Sequence, residues 1–314
     1  MRQRLWADHF LVPSAARKQG ADVLITTGFV PLRKCLPVAM LVFSLQHLDP
    51  QNKVGFARGL YRKWIMKHSW PKADLVITNS KFAASQILNV YPGFRSRLVQ
   101  SYEGLQHEQF NPVAAASESA RLQEQFNLSP GYFLWISNFY PYKQPELLLK
   151  AYALLPHDFR SRHPLVMSGG SWENELENCK RLTRDLGIEA NVQFLGWIAD
   201  EWLAPLYRHA LAFVLASREE TFGRSVIESM ACGTPCIVND IPIMREVTQG
   251  HATVVDFRNF PRVAGALQEM AHNPKLREQL KTGGLVRAAD FTFEKFASER
   301  IVAISNFLSA QRAS

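Results

Sequence analysis

Residues 217–247 read S-R-E-E-T-F-G-R-S-V-I-E-S-M-A-C-G-T-P-C-I-V-N-D-I-P-I-M-R-E-V, one residue after the apolar run L-A-F-V-L at 211–215. The run has strand length and composition, the polar residues around Glu220 and Gly223 make a turn, and a helix is expected to start near Ser225. Glu220 then sits on the turn and Glu228 in the helix's first turn. A carboxylate in each place, beside a glycine that admits close backbone approach and the free N–H groups of a helix start, suits a ligand carrying both a phosphate and hydroxyl-rich rings. Two plainer readings stand beside this one. Ser225 to Glu228 is S-x-x-E, a capping box in which Glu228 returns to the N-cap amide, and Arg218, Glu219 and Glu220 together suit a solvated loop.

Outward from this stretch, 314 residues leave room for two domains, and 47% apolar residues supply their cores. The four cysteines, Cys35, Cys179, Cys232 and Cys236, have no secretory signal before them and read as reduced thiols. C-x-x-x-C at 232–236 lies in an apolar segment with no histidine close in sequence, so buried thiols are expected and a metal site is not. A net charge of +8 and a pI near 9.4 favour an anionic partner. No nucleic-acid module is recognisable, and the longest apolar run, 35–45, is interrupted by Pro37 and too short to span a membrane. Nucleophile-elbow, zincin, P-loop and dinucleotide-type glycine motifs are missing, and so is D-x-D, which argues against a metal-held diphosphate.

In chain order, a helical stretch at 6–19 leads to expected strands at 21–26, 38–43 and 74–78. Between the last two, 54–68 has helical period. Phe56, Leu60 and Trp64 form its apolar stripe, and Arg58, Arg62, Lys63 and Lys67 its basic side, which suits either an anionic membrane surface or a core-packed helix with a solvated face. Asn79 and Ser80 cap a helix at 81–90, and a strand follows at 97–100. Small polar residues at 114–119 mark a boundary, giving domains 1–112 and 113–292 and a closing helix from 293 to the end. From Tyr132 strands and helices alternate: strands at 132–136, 165–167, 192–194 and 253–255, helices at 145–155, 173–186, 202–209, 260–272 and 274–289. This predicts an α/β fold with a parallel sheet whose strands carry ligands at their carboxyl ends.

The E-x-F-G turn with Glu220 and Glu228 seven residues apart, A-C-G-T-P at 231–235 and D-I-P-x-x-R-E-V at 240–247 resemble the donor-site signature of the retaining glycosyltransferases of family 4. A-D-L-V-I-T-N-S at 73–80 and Y-E-G at 102–104 resemble the same family. The resemblance implies a GT-B fold, two Rossmann-like domains facing a cleft, with the closing helix crossing back to an N-terminal domain that lacks its opening portion. It implies a metal-independent hexosyltransferase without cofactor, moving a sugar such as mannose from a UDP- or GDP-sugar to a glycan or lipid-linked acceptor in cell-surface polysaccharide or glycolipid synthesis. The setting would be cytoplasmic, with peripheral contact on the inner membrane face and no nucleic acid. A truncated, non-catalytic nucleotide-sugar binder is the alternative. Carried over residue by residue, Glu220 would hold the sugar ring and Glu228 the ribose, while Phe222, Gly223, Arg224 and Ser225 complete the donor contacts. Lys143 would hold the diphosphate. Asn138 stands where the family has arginine and Ser137 where it has glycine. Phe43 stands where relatives carry histidine, and His47 is read as structural.

Overall fold

The structure, a computed structural model, describes residues 6–43, 45 and 56–313. The chain divides into two units, Met1–Gly104 with Phe293–Ser314, and Leu105–Thr292.

The first unit holds strands β1 (Leu24–Thr27), β2 (Val38–Val42), β3 (Leu75–Thr78) and β4 (Leu98–Gln100), parallel and in sequence order. Successive residues of a strand face opposite sides of its sheet, and here both sides are covered. Val38, Met40 and Val76 join Trp70, Ile87 and Phe94, while Ala39, Leu75 and Ile77 receive Ala303, Ile304 and Phe307 of the closing helix, Phe293–Ala313. The helices are α1 (Val12–Lys18), entered through an irregular turn, Ala7–Leu11; α2 (Phe56–His68); and α3 (Lys81–Val90). Ser80 caps α3 by accepting from the Ala83 amide at 2.9 Å, whereas Asn79 Nδ2 donates to Glu103 at 2.6 Å and takes no part in the cap.

The stripe expected on α2 is not the one that packs. Ile65 and Met66 are buried, while Leu60 is 54% and Trp64 44% exposed, so the apolar spacing belongs to a surface. His47 lies outside the described residues, as do the side chains of Phe56, Arg58, Arg62 and Lys63.

The second unit contains α4 (Glu118–Phe126), β5 (Tyr132–Ile136), α5 (Pro145–Ala153), α6 (His157–Arg162), β6 (Leu165–Ser168), α7 (Glu175–Asp185), β7 (Val192–Gly196) and α8 (Leu203–His209). It continues with β8 (Ala210–Leu215), α9 (Arg224–Ala231), β9 (Cys236–Asn239), α10 (Pro242–Thr248), β10 (Thr253–Val255), α11 (Phe260–His272) and α12 (Pro274–Ala288). The sheet order is β10-β9-β8-β5-β6-β7, with every pairing parallel. From central β5 the chain winds outward through β6 and β7, then returns to β8 on the other side, so the order reverses between β5 and β8. The crevice beyond the carboxyl ends of two such strands is where doubly wound sheets bind ligands.

The division falls after Gly104, not at 112. Leu105 pairs with Thr292 and its amide donates to Phe291 O at 3.0 Å, and Phe110 is buried with its ring 6.2 Å from that of Tyr207. These contacts tie 105–112 into the second unit. Cys232 and Cys236 are buried free thiols, each pushed up to about 12 by burial.

Candidate active site

The loop after β5 and the turn after β8 meet at the switch point. The Arg218 amide donates to Tyr142 O at 2.8 Å, which fixes the two segments side by side, and Lys143 Nζ then lies 2.5 Å from Glu220 Oε1. Both side chains are largely shielded, 14% and 11% exposed, and the ammonium also sits over the Tyr142 ring at 5.3 Å. Asn239, at the end of β9, holds the turn from the other side: its Nδ2 donates to Ser217 O at 3.0 Å while its Oδ1 accepts from Asp240 and Phe257 amides. Ser217 Oγ is buried there without a hydrogen-bond partner.

Helix α9 begins one residue earlier than expected, at Arg224, with Gly223 as its N-cap at φ +88°. A Cβ at 223 would be strained and would meet the Met244 methyl at 2.5 Å. Ser225 is therefore already inside the helix, and Glu228 lies beyond its first turn. The capping box does not form. Glu228 turns to side chains: Oε1 accepts from Arg224 Nε at 2.9 Å and Oε2 from the Tyr207 hydroxyl at 3.1 Å. Glu228 is 8% exposed, and burial pushes its carboxyl above the ordinary value, opposed chiefly by Arg224. The first two N–H groups of α9, on Arg224 and Ser225, have no intrahelical acceptor, whereas those of Val226 and Ile227 reach Gly223 O at 3.0 and 3.4 Å.

Two of the expected donor residues sit differently. The Phe222 ring is buried at 4% exposure, edge-on to Phe291 at 5.4 Å, so its side chain packs and only its backbone is left to a ligand. Asn138 Oδ1 accepts from the Gly170 amide at 3.0 Å, bracing the loop after β5 against the loop after β6. These loops approach so closely that a Cβ on Gly169, at φ +148°, would stand 1.7 Å from Ser137 O. Asn138 is thus a strut at the position where the family resemblance implies a phosphate-binding cation. In the first unit, the Phe43 ring lies 4.9 Å from the Arg300 guanidinium carbon.

Sequence reasoning missed Tyr207, Asn239 and the ring cluster Tyr140, Tyr142 and Trp172, in which Tyr140 is 5.4 Å and 5.0 Å from its two neighbours. An N-D pair closing an apolar run was the one available signal, for Asn239. Among the described residues no three His, Cys, Asp or Glu side chains converge as a metal site requires, and no helix is long and apolar enough to cross a membrane.

The family model of glycosyl transferases group 1 matches residues 117–285, more than half of the 314. The chain belongs to this family. Among relatives of this group 1 chain, O-antigen chain mannosyltransferase B of Escherichia coli is 28% identical over 263 residues, covering 83% of this chain and 66% of that protein. The D-inositol 3-phosphate glycosyltransferase of Acidothermus cellulolyticus is 29% identical over 236 residues, 71% of this chain and 51% of its own length. The chain therefore spans only part of these relatives. Sucrose-phosphate synthase from Thermosynechococcus elongatus superposes with a TM-score of 0.80 at 23% identity, covering 95% of this chain and 76% of its own. HepE of Anabaena, in complex with UDP and glucose, gives 0.73 at 18%, covering 86% and 72%. The group 1 chain thus has an α/β fold of GT-B type.

Proposed function

We propose that the chain moves a hexose from a nucleotide diphosphate sugar to an acceptor hydroxyl with retention of configuration, as a metal-independent transferase of family 4. The observation that carries this reading is the Lys143–Glu220 pair at the switch point together with Glu228 on the adjoining helix. They supply one cation for a leaving diphosphate and two carboxylates for sugar and ribose hydroxyls. Mannose is favoured because relatives include E. coli proteins named as O-antigen chain mannosyltransferase B and serotype-specific mannosyltransferase WbdA, the latter 24% identical over 243 residues.

In this reading Glu228 takes the ribose, Glu220 the transferred ring, and Lys143 with the amides of 223–225 the diphosphate. The bond from the sugar's anomeric carbon to the phosphate oxygen breaks as the acceptor oxygen bonds the same face. The electron pair goes to that phosphate oxygen, which takes the acceptor's proton. Lys143 and the helix start stabilise the charge developing there, and fixed charges and dipoles of this kind are the chief source of acceleration in such a site. The acceptor is a glycan or lipid-linked sugar of cell-surface synthesis, reached at the cytoplasmic face of a membrane. Exposed Leu60 and Trp64 beside Lys67 on α2 suit an anionic bilayer surface.

The test offers GDP-mannose, UDP-glucose and UDP-N-acetylglucosamine separately to the purified chain, with nucleoside diphosphate release and product anomer followed by NMR. GDP release with an α-linked product is expected. Failure to bind any nucleoside diphosphate would overturn the donor site, and an inverted anomer would overturn retention alone.

A further inference from the structure

The i,i+4 pair of Arg224 and Glu228 is poorly placed for helix stability. Arg224 is the first residue of α9, where a cation opposes the helix dipole, and basic residue before acidic is the weaker order for an i,i+4 pair. The guanidinium is also half in solvent, at 51% exposure, whereas Glu228's side chain is 11% exposed. The two oxygens of Glu228 differ in what holds them. Tyr207, which holds Oε2, is fully buried, its ring edge-on to Phe110 and to Phe213 at 6.2 and 5.5 Å. The Thr234 hydroxyl donates to its carbonyl at 2.6 Å. That partner is fixed. Arg224, on Oε1, can swing away, and Lys143 at the same switch point is already matched by Glu220.

We propose that Arg224 is an exchanging positioning residue: without ligand it holds Glu228 Oε1, and when the donor binds it moves to the diphosphate and yields that oxygen to the ribose hydroxyls. This rests on the donor-site reading above. One ion pair divides into the two charges that a nucleotide diphosphate needs at its two ends. The guanidinium gives up a carboxylate for a phosphate of the same sign, and the cation at the head of α9 acquires an anion lying where the dipole favours one. A nucleoside without phosphates must compete with Arg224 for Oε1, so the exchange selects the diphosphate over the bare nucleoside.

Calorimetry on the full chain with uridine, UDP, guanosine and GDP tests this through Arg224→Met and Arg224→Lys. In Arg224→Met the preferred diphosphate should bind about tenfold more weakly, from loss of charge-assisted hydrogen bonds. Its nucleoside should bind about two- to fivefold more tightly, because Oε1 is released. Arg224→Lys should recover part of the diphosphate affinity. Equal weakening of nucleoside and diphosphate, or no change in either, would overturn the exchange while wild-type diphosphate binding upholds the site. A wild type that binds neither diphosphate would instead remove the donor-site reading, and the exchange with it.

Discussion

Lys143 Nζ and Glu220 Oε1 lie 2.5 Å apart in a contact bridging 77 residues of sequence, so without ligand each charge that the site would offer a donor is met by the other. Lys143→Ala should lower turnover well over tenfold, because a cation on the leaving oxygens acts mainly in the transition state. Glu220→Gln should lower kcat more than it raises KM. The double variant should lose less than the product of the two single losses, since each single change strands its partner. Unchanged steady-state kinetics in Lys143→Ala would move the diphosphate elsewhere.

Nucleotide affinity should rise with pH through Glu228. Burial lifts its pKa above 4.5; Arg224 and then Tyr207 pull it back, while Asp200 adds to the lift. Within the window above 4.5 the folded protein holds a proton that the unfolded chain has released, so Glu228's contribution to stability declines as pH rises. Ribose hydroxyls donate best to the ionised carboxylate, so affinity moves the opposite way. Titrations between about pH 5 and 8 should show this slope in wild type and lose it in Glu228→Gln; a slope that persists in the variant belongs to another group.

Asn138→Arg should cost stability, although the family resemblance alone suggests an unchanged or stronger donor affinity. The substitution removes the acceptor of the Gly170 amide, a loss of about 1 kcal/mol, which is a fall of roughly 2–4 °C in Tm. Differential scanning calorimetry reads it. A variant melting at or above the wild-type temperature would show that the strut is dispensable.

Glu118→Ala should be far more damaging. Glu118 accepts from Arg208 Nε at 3.0 Å and from a terminal guanidinium nitrogen at 2.6 Å, both side chains being under 10% exposed. Burial pushes the Glu118 carboxyl up, but the hydrogen bonds from Arg208 and the Ala115 amide outweigh it and hold the pKa below the ordinary value. The pair therefore stabilises at neutral pH and is lost as pH falls through that lowered value. Removing the carboxylate strands a buried guanidinium at about 3–5 kcal/mol, and a melting temperature within a degree or two of wild type would contradict it.

Trp64→Glu together with Leu60→Glu should abolish sedimentation with vesicles rich in anionic lipid while leaving nucleoside diphosphate affinity unchanged. Retained sedimentation would place the membrane contact on another surface.

What could be read from the chain followed how local the cause was. Tyr132–Ile136 and Thr253–Val255 were expected at the bounds observed, because an apolar run between turn residues suffices for a buried parallel strand. The helix Glu118–Phe126 was not expected: its first two residues fell in the polar boundary at 114–119, only Glu118 and Leu122 of it are buried, and one of those is a charge whose partner is 90 residues away. The two glutamates were found by spacing and flanking pattern. Their partners were not, for which face of α8 turns Tyr207 toward α9 depends on packing that no local pattern encodes.

The strand order also sets when the site can exist. Because β5 pairs with β8 as well as with its successor β6, Lys143 cannot meet Glu220 until a loop of 77 residues has closed. By then β6 can already have paired with β5, and β7 with β6, since parallel pairing proceeds as each segment becomes available. On a ribosome the Lys143–Glu220 pair thus forms only after β8 and the turn that follows it have been made. A nascent chain arrested between β7 and β8 would present β5 with one edge unpaired and its central apolar residues uncovered, a period in which another chain's strand can occupy the place kept for β8.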